Sequence, residues 1–357
     1  MTTFIRAAQD IMRGPMKLHP KEQEFFELVF KARTLLQQVH SKSELDINNI
    51  ESLFGAFDMA SLLGRLGSLT DSEIQVLPRA INYFIAKTIE NKLLYPVDDG
   101  KTLSPQPYDA FAALIGDLAE REIGSVSVVT FNYDLGVDFG LHNNSIPFEY
   151  RCGVVDGLDQ GKKIDWNNID LLKLHGSLNW GSCNKCQRVC PWSLKEFFSN
   201  NHFAPVPQGT RFRRLVISER LVQRSCRACG AQLAESPVIV PPTWNKGKAH
   251  VGLSSVWRAA AAHLAEAENV FIIGYSLPIT DEFFKYFYAL GAVGESVLSS
   301  FCVVDKNNEV FDRFRGILGP TARACFTGIH KTFEAAIPEI RSRLELSDAT
   351  SSRVFLV

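Results

Sequence analysis

The sequence predicts an α/β protein on a doubly wound, mainly parallel (Rossmann-like) sheet, and three observations carry that prediction. Short β-branched runs alternate with stretches of helical period from residue 125 onward. Ahead of them, about a hundred residues show helical spacing alone. Between two parts of the alternating region lies a stretch with two cysteine pairs, several arginines and few aliphatic residues. Apolar runs of this kind are what parallel strands look like when helices cover both faces of their sheet.

In the helical region, residues 21–40 place Phe25, Phe26, Leu28, Val29, Phe30, Leu35 and Leu36 at helical intervals. Residues 46–66 repeat the pattern through Ile50, Leu53, Phe54, Phe57, Leu62 and Leu63. Asp71, Ser72 and Glu73 open a third helix as caps, running to about residue 94. Asp99 and Gly100 break the chain, and Pro105 and Pro107 precede a helix ending near residue 121. Strands are then predicted at 125–131, 171–174, 238–240, 270–273, 301–304 and 324–327. Helices are predicted at 254–267, 281–290, 308–317 and 330–346. The expected division is a helical subdomain over 1–105, a sheet core over 106–178 and 237–345, a cysteine-rich insertion over 179–236, and a tail over 346–357. Ligands of such sheets bind at the carboxyl ends of the strands.

Composition narrows the function classes. The chain has 357 residues, 46% hydrophobic and 22% charged, which excludes a disordered or coiled-coil protein and allows a substantial core. With 38 basic against 39 acidic residues the net charge is −1, so no positive field exists to hold nucleic acid or an anionic membrane. No apolar run approaches the ~18 residues of a spanning helix, and residues 1–10 lack a signal-like apolar stretch. The expected location is the cytoplasm, with neither a membrane nor a nucleic acid as partner.

Cys183 and Cys186 form one C-x-x-C knuckle and Cys226 and Cys229 a second, with 39 residues between them. Two thiolate pairs of this spacing, in a segment too poor in apolar residues to fold on a core, point to a tetrahedral structural zinc site. A set of four sulfurs leaves no open coordination position, so the metal does no chemistry. Cys190 is a spare thiol able to substitute as a ligand, whereas Cys152, Cys302 and Cys325 read as small buried hydrophobes. Arg211, Arg213, Arg214, Arg220, Arg224 and Arg227 read as a solvated basic face.

Polar clusters stand at the ends of several apolar runs. Thr130, Asn132, Tyr133 and Asp134 follow Val128 and Val129, putting an amide and a carboxylate at the ligand edge. The bland alternative is a turn at Asn132 and a helix cap at Asp134. His175, with Gly176 behind it, follows 171–174 and is placed to act as a general base, or else is a satisfied structural histidine. Gly274 and Ser276 follow 270–273, where a small residue and a hydroxyl admit a phosphate or ribose. Asp305 follows Val303 and Val304, where a carboxylate meets ribose hydroxyls or starts the next helix.

Taken in order, these residues resemble the sirtuin superfamily, and in particular its divergent bacterial sirtuin-like branch. Thr130, Asn132 and Asp134 resemble the family's T-x-N-x-D element; Lys173, His175 and Gly176 its K-x-H-G segment; Gly274, Ser276 and Leu277 its later G-x-S-L element. The cysteine pairs follow the histidine as the family's zinc module does. The likeness spans about residues 125–305. It implies NAD as substrate and structural zinc as cofactor. It further implies that Asn132 and Asp134 order the nicotinamide side of NAD and the attacking water or substrate. His175 would serve as base towards the nicotinamide-ribose hydroxyls, with Thr130, Tyr133, Gly274, Ser276 and Asp305 contacting the dinucleotide. The implied chemistry is rupture of the nicotinamide–ribose bond through an oxocarbenium-like state.

Two departures shape the expectation. The family opens with a strand and a Gly-rich phosphate loop, and no such sequence stands in residues 1–20. A sheet without its first central strand is therefore expected, together with a missing N-terminal piece of roughly 20 to 30 residues, enough for one strand and a loop. Second, Pro241 and Pro242 remove amide donors from the edge that pairs with peptide in protein-deacylating relatives. This favours NAD hydrolysis, as in bacterial anti-phage defence, over protein deacylation. Deacylation and a non-catalytic or inactive NAD or ADP-ribose sensor remain the alternatives, and a homo-oligomer or a defence-system partner protein remains open.

Overall fold

The computed structural model of the chain describes residues 2–14, 18–38, 45–120, 125–152, 169–192, 203–206, 211–216, 224–240, 247–278, 281–346 and 353–357. Four helices come first: α1 (Thr2–Arg13), α2 (Pro20–Gln38), α3 (Ile50–Leu63) and α4 (Asp71–Lys92). Asn49 caps α3 by accepting from the Glu51 amide. The cap of α4 is Thr70, in a reciprocal capping box with Glu73, so Asp71 is the first helical residue and not the cap. These helices bury Phe26, Val29, Leu53, Phe57, Leu77, Ile81 and Phe84 in one cluster. The α1 helix is not foreseen by the sequence pattern.

A hairpin of β1 (Leu94–Asp98) and β2 (Lys101–Thr102) leads into α5 (Gln106–Glu120), β3 (Val126–Thr130), α6 (Gly136–Asn143), β4 (Phe148–Glu149) and β5 (Ile169–Lys173). Then come β6 (Gly176–Cys183), β7 (Val189–Pro191), β8 (Phe203–Pro205), β9 (Phe212–Leu215) and β10 (Leu233–Ile239). The chain returns through α7 (Gly247–Glu266), β11 (Asn269–Ile273), α8 (Glu282–Gly291), β12 (Ser300–Val304), α9 (Asn308–Ile317), α10 (Pro320–Ala324), β13 (Phe326–Ile329), α11 (Phe333–Leu346) and β14 (Val354–Leu356).

The main sheet has seven strands in the order β13-β12-β11-β14-β3-β5-β4, every neighbouring pair parallel. Alternate residues feed two cores. Val129, Leu172, Val270, Ile272, Phe301, Val303 and Phe355 pack against α7, α8 and α9 on one face. Val126, Val128, Leu171, Phe271, Cys302, Val304, Val354 and Leu356 pack against α5 and α11 on the other. Period-two alternation with both faces apolar is what a doubly wound sheet demands.

Four expectations need correction. The 346–357 stretch is no mere tail, because β14 inserts between β11 and β3 at the sheet centre. The centre of the sheet therefore holds its strand, contrary to the expectation of a missing one. The 238–240 run lies in β10, antiparallel to β6 in a separate three-stranded sheet β10-β6-β7. The predicted 324–327 strand is shifted: α10 ends at Ala324 and β13 starts at Phe326. A third sheet, β2-β1-β9-β8, was not anticipated, and in it β9 pairs with β1, so part of the arginine-rich stretch meets the helical region. Pro241 and Pro242 lie outside the described residues.

Candidate functional site

Parallel pairing of β3 with β5 sets Thr130 opposite Lys173, so both strands deliver their next residues to one edge. Pairing continues past the strand ends, with the Leu174 amide donating to the Thr130 carbonyl at 3.0 Å and the Leu178 amide to the Tyr133 carbonyl at 3.0 Å. His175 is buried at this junction. Its carbonyl accepts from the Val240 amide at 2.8 Å, and the preceding Leu174 carbonyl accepts from Trp257 Nε1 at 3.1 Å. Gly176 is left-handed (φ 88°), and a Cβ there would stand 2.1 Å from the Val238 carbonyl oxygen, so the turn behind the histidine admits only glycine.

Aromatic rings enclose the imidazole. Phe131 meets it edge-on at 4.9 Å, with Tyr133 at 6.3 Å and Trp257 at 6.5 Å. The same Phe131 ring stacks on Tyr275 at 4.5 Å and 21°, which joins the β3 end to the loop after β11. Tyr275 in turn donates from its hydroxyl to Asp281 at 2.6 Å. Tyr133 donates to the Val240 carbonyl at 3.1 Å, and burial pushes its hydroxyl up, out of the titrating range.

Asn132 is exposed at this edge, and its backbone N–H donates to Thr130 Oγ1 at 3.1 Å. Asp134 is half-buried and accepts from the Gly136 amide at 2.8 Å, a local turn that opens α6. Burial pushes the Asp134 carboxyl up; the nearby Lys173 ammonium and the Gly136 N–H pull against that, and Asp138 adds to it. An alanine at Gly136 would displace the Tyr108 ring, since a Cβ would lie 2.5 Å from it.

On the far side of β14, Gly274 is left-handed (φ 71°) with open space where a Cβ would stand, and its amide donates to the Val304 carbonyl at 3.0 Å. Ser276 offers its carbonyl to Arg313 Nε at 3.0 Å. Asp305 accepts from the Asn307 amide at 2.7 Å and so begins the turn before α9. Thr130, Asn132, Tyr133 and Asp134 thus stand at the end of β3 and His175 at the end of the paired β5, with Tyr133 against the imidazole. Gly274 and Ser276 join them through the Phe131–Tyr275 stack. Asp305 lies along the same edge, one strand beyond Gly274.

Several residues of this edge carry no sequence signal. Trp257 arrives from the middle of α7, and Arg313 from α9, both from ordinary helical patterns. Asp138 sits one turn after Asp134, and only the buried Lys173 opposite gives it meaning.

The four paired cysteines converge below β6. Their sulfurs all lie within 4.8 Å of one another, with Cys183 to Cys229 at 3.5 Å and Cys186 to Cys226 at 3.6 Å. Each knuckle closes the same way: the amide four residues on from the first cysteine donates back to that cysteine's carbonyl, Gln187 to Cys183 and Gly230 to Cys226, both at 2.9 Å. Gln187 (φ 60°) and Gly230 (φ 71°) are both left-handed. Tetrahedral Zn–S bonds of about 2.3 Å put sulfurs roughly 3.8 Å apart, so the set fits structural zinc and leaves no ligand position open. Cys190 lies 3.7 Å from Cys226 and stands beside the set of four.

No family model matches the chain, and no curated protein matches it. Among solved structures it is similar to a Sir2 homologue mutant in complex with 2′-O-acetyl ADP ribose (15% identity, TM-score 0.36), covering 77% of this chain and 78% of that one. It is similar to a Sir2 homologue–NAD complex (13%, 0.37; 77% and 75%) and to Sir2Tm bound to a propionylated peptide (13%, 0.37; 77% and 83%). Scores of this size set the chain beside those structures and assign it no activity. No helix among the described residues is long and apolar enough to cross a membrane.

Proposed function

We propose that the chain binds NAD along the carboxyl edge of its main sheet and hydrolyses the nicotinamide–ribose bond, releasing nicotinamide and ADP-ribose. The observation that supports this most is that Asn132 and Asp134 follow β3 while a buried, ring-enclosed His175 follows β5, its parallel neighbour. In this reading the Phe131, Tyr133 and Trp257 rings exclude water from the departing nicotinamide. His175 accepts the proton of a ribose hydroxyl as positive charge grows on the ring carbon. Asn132 and Asp134 orient the attacking water and face that charge. Gly274, whose upper side is open, lets a phosphate or ribose approach backbone amides, and Asp305 offers a carboxylate to ribose hydroxyls. The Cys183, Cys186, Cys226 and Cys229 set holds zinc, which fastens β6 behind His175.

The test is chromatography of NAD incubated with the intact chain and with its His175→Ala variant. Release of nicotinamide and ADP-ribose by the first, lost in the second with folding and zinc retained, supports the reading. Nicotinamide released only with an acylated peptide would replace it with deacylation. NAD bound without turnover would replace it with sensing. Reduced thiols at the zinc set suit a cytoplasmic location. A role in defence against phage predicts that infected cells expressing the chain lose NAD, and that His175→Ala cells do not.

A further inference from the structure

Beneath the candidate site runs a line of buried polar groups to which the reaction above gives no role. Lys173, the last residue of β5, and Asp138, in the first turn of α6, are both 1% exposed at their side chains and pair at 2.9 Å. The same ammonium donates to the Asp134 carbonyl. The second Asp138 oxygen accepts from the Tyr150 hydroxyl at 2.5 Å. Asn179 Nδ2 donates to that Tyr150 oxygen at 3.1 Å and to the Trp192 carbonyl at 3.2 Å. A buried ion pair is a poor way to gain stability, since an apolar pair of the same volume does as well or better. Its presence two residues before His175 and four after Asp134 calls for another reason.

We propose that Lys173 is a positioning residue for the reaction read above: its ammonium, held by Asp138, ties the Asp134 turn to the strand that carries His175 and supplies the positive charge that the Asp134 carboxylate faces. The proposal rests on that reading for the reaction it serves, while the contact is tested without it. The groups facing Asp134 come from four elements: Lys173 from β5, Asp138 from α6, Tyr108 from α5 and Tyr95 from β1. Burial and the Asp138 charge both disfavour ionisation of Asp134, and Lys173 opposes them. The two tyrosines stay neutral, because burial and the nearby carboxylates push their hydroxyls up. Without the ammonium, Asp134 would hold a proton to higher pH, and the turn would lose its backbone tether.

The experiment is carbon-13 NMR of the full chain labelled at aspartate side-chain carboxyls, with Asp134→Asn identifying the Asp134 signal. In Lys173→Met the Asp134 midpoint should rise by roughly one pH unit or more. Lys173→Met/Asp138→Asn, which leaves no uncompensated buried carboxylate, guards against misfolding of the single variant and should give a smaller rise in the same direction. A midpoint unchanged in both variants, with only the melting temperature lowered, would overturn the proposal and leave Lys173 a structural residue. The NMR result stands whether or not the chain cleaves NAD. If NAD is cleaved, the acid limb of the kcat/KM profile should move with the Asp134 midpoint.

Discussion

Phe131 lies flat against Tyr275 at 4.5 Å while turning its edge to His175 at 4.9 Å. One side chain therefore joins the end of β3, the loop after β11 and the imidazole, although β14 stands between the two strands. Phe131→Ala should cost about 2 kcal/mol of stability by lost packing. It should also raise KM for NAD about tenfold, because three loops lose their common contact. Phe131→Tyr, which keeps the ring, should stay near the parent. Denaturant titration and steady-state kinetics on both variants check this, and equal KM values for alanine and tyrosine would refute it.

Gly176→Ala meets two obstacles at once. The backbone is left-handed at φ 88°, and the new methyl would press on the Val238 carbonyl, which belongs to a paired strand and cannot swing aside. The expected cost is about 2–4 kcal/mol, read by urea unfolding. Gly230→Ala is the control: it shares the positive φ but has open space around it, so its cost should be limited to about 1–2 kcal/mol of backbone strain.

Metal analysis of the purified chain should find one zinc per molecule. Cys226→Ser, which removes the sulfur 3.6 Å from that of Cys186, should abolish that zinc and lower the melting temperature. Cys190→Ser should keep it, because Cys190 stands outside the set of four sulfurs, 3.7 Å from Cys226. Chelation of the parent should reproduce the Cys226→Ser melting curve, since metal binding here contributes directly to folding. Zinc lost equally from both variants would make Cys190 a ligand.

The helical region carries its own pH dependence. Burial alone would raise the Glu22 carboxyl, but the Lys87 ammonium at 3.0 Å, the Tyr83 hydroxyl at 2.7 Å and the His19 N–H at 2.8 Å outweigh it and hold it below its ordinary value. A carboxyl lowered in the folded state contributes stability above its unfolded value of 4.5 and loses it as pH falls through the folded value. Stability of the parent should therefore decline from about pH 5 downward. Glu22→Gln should be less stable at pH 7 by roughly 1–3 kcal/mol and show a shallower acid decline. Chemical denaturation across pH 3 to 7, on the order of one point per half unit, measures both slopes.

Much of this architecture is legible in the residues. Val128, Val129, Leu171 and Leu172 read as buried strands because parallel strands need apolar groups on both sides. His175 and the cysteine pairs read as sites because their chemistry lies in a few adjacent residues. What is not legible depends on partners far along the chain. Val238 looks like another core strand, yet β10 pairs with β6, whose glycine behind His175 accepts the close approach of the Val238 carbonyl. Asp134 and Asp305 both accept amide hydrogen bonds in local turns and neither caps a helix, Leu135 and Asn307 holding those positions, and that local role does not conflict with facing a ligand. Lys173 is legible as part of the K-x-H-G segment, but its partner Asp138, 35 positions earlier, is not.

The position of β14 bears on how the protein is made. The strand that separates β11 from β3 is contributed by residues 354–356, paired with residues 126–128 on one side and 269–271 on the other. As a ribosome extends the polypeptide, both halves of the sheet must wait with open inner margins until that late segment emerges. Two unpaired margins invite premature closure on each other or capture by a neighbouring nascent chain.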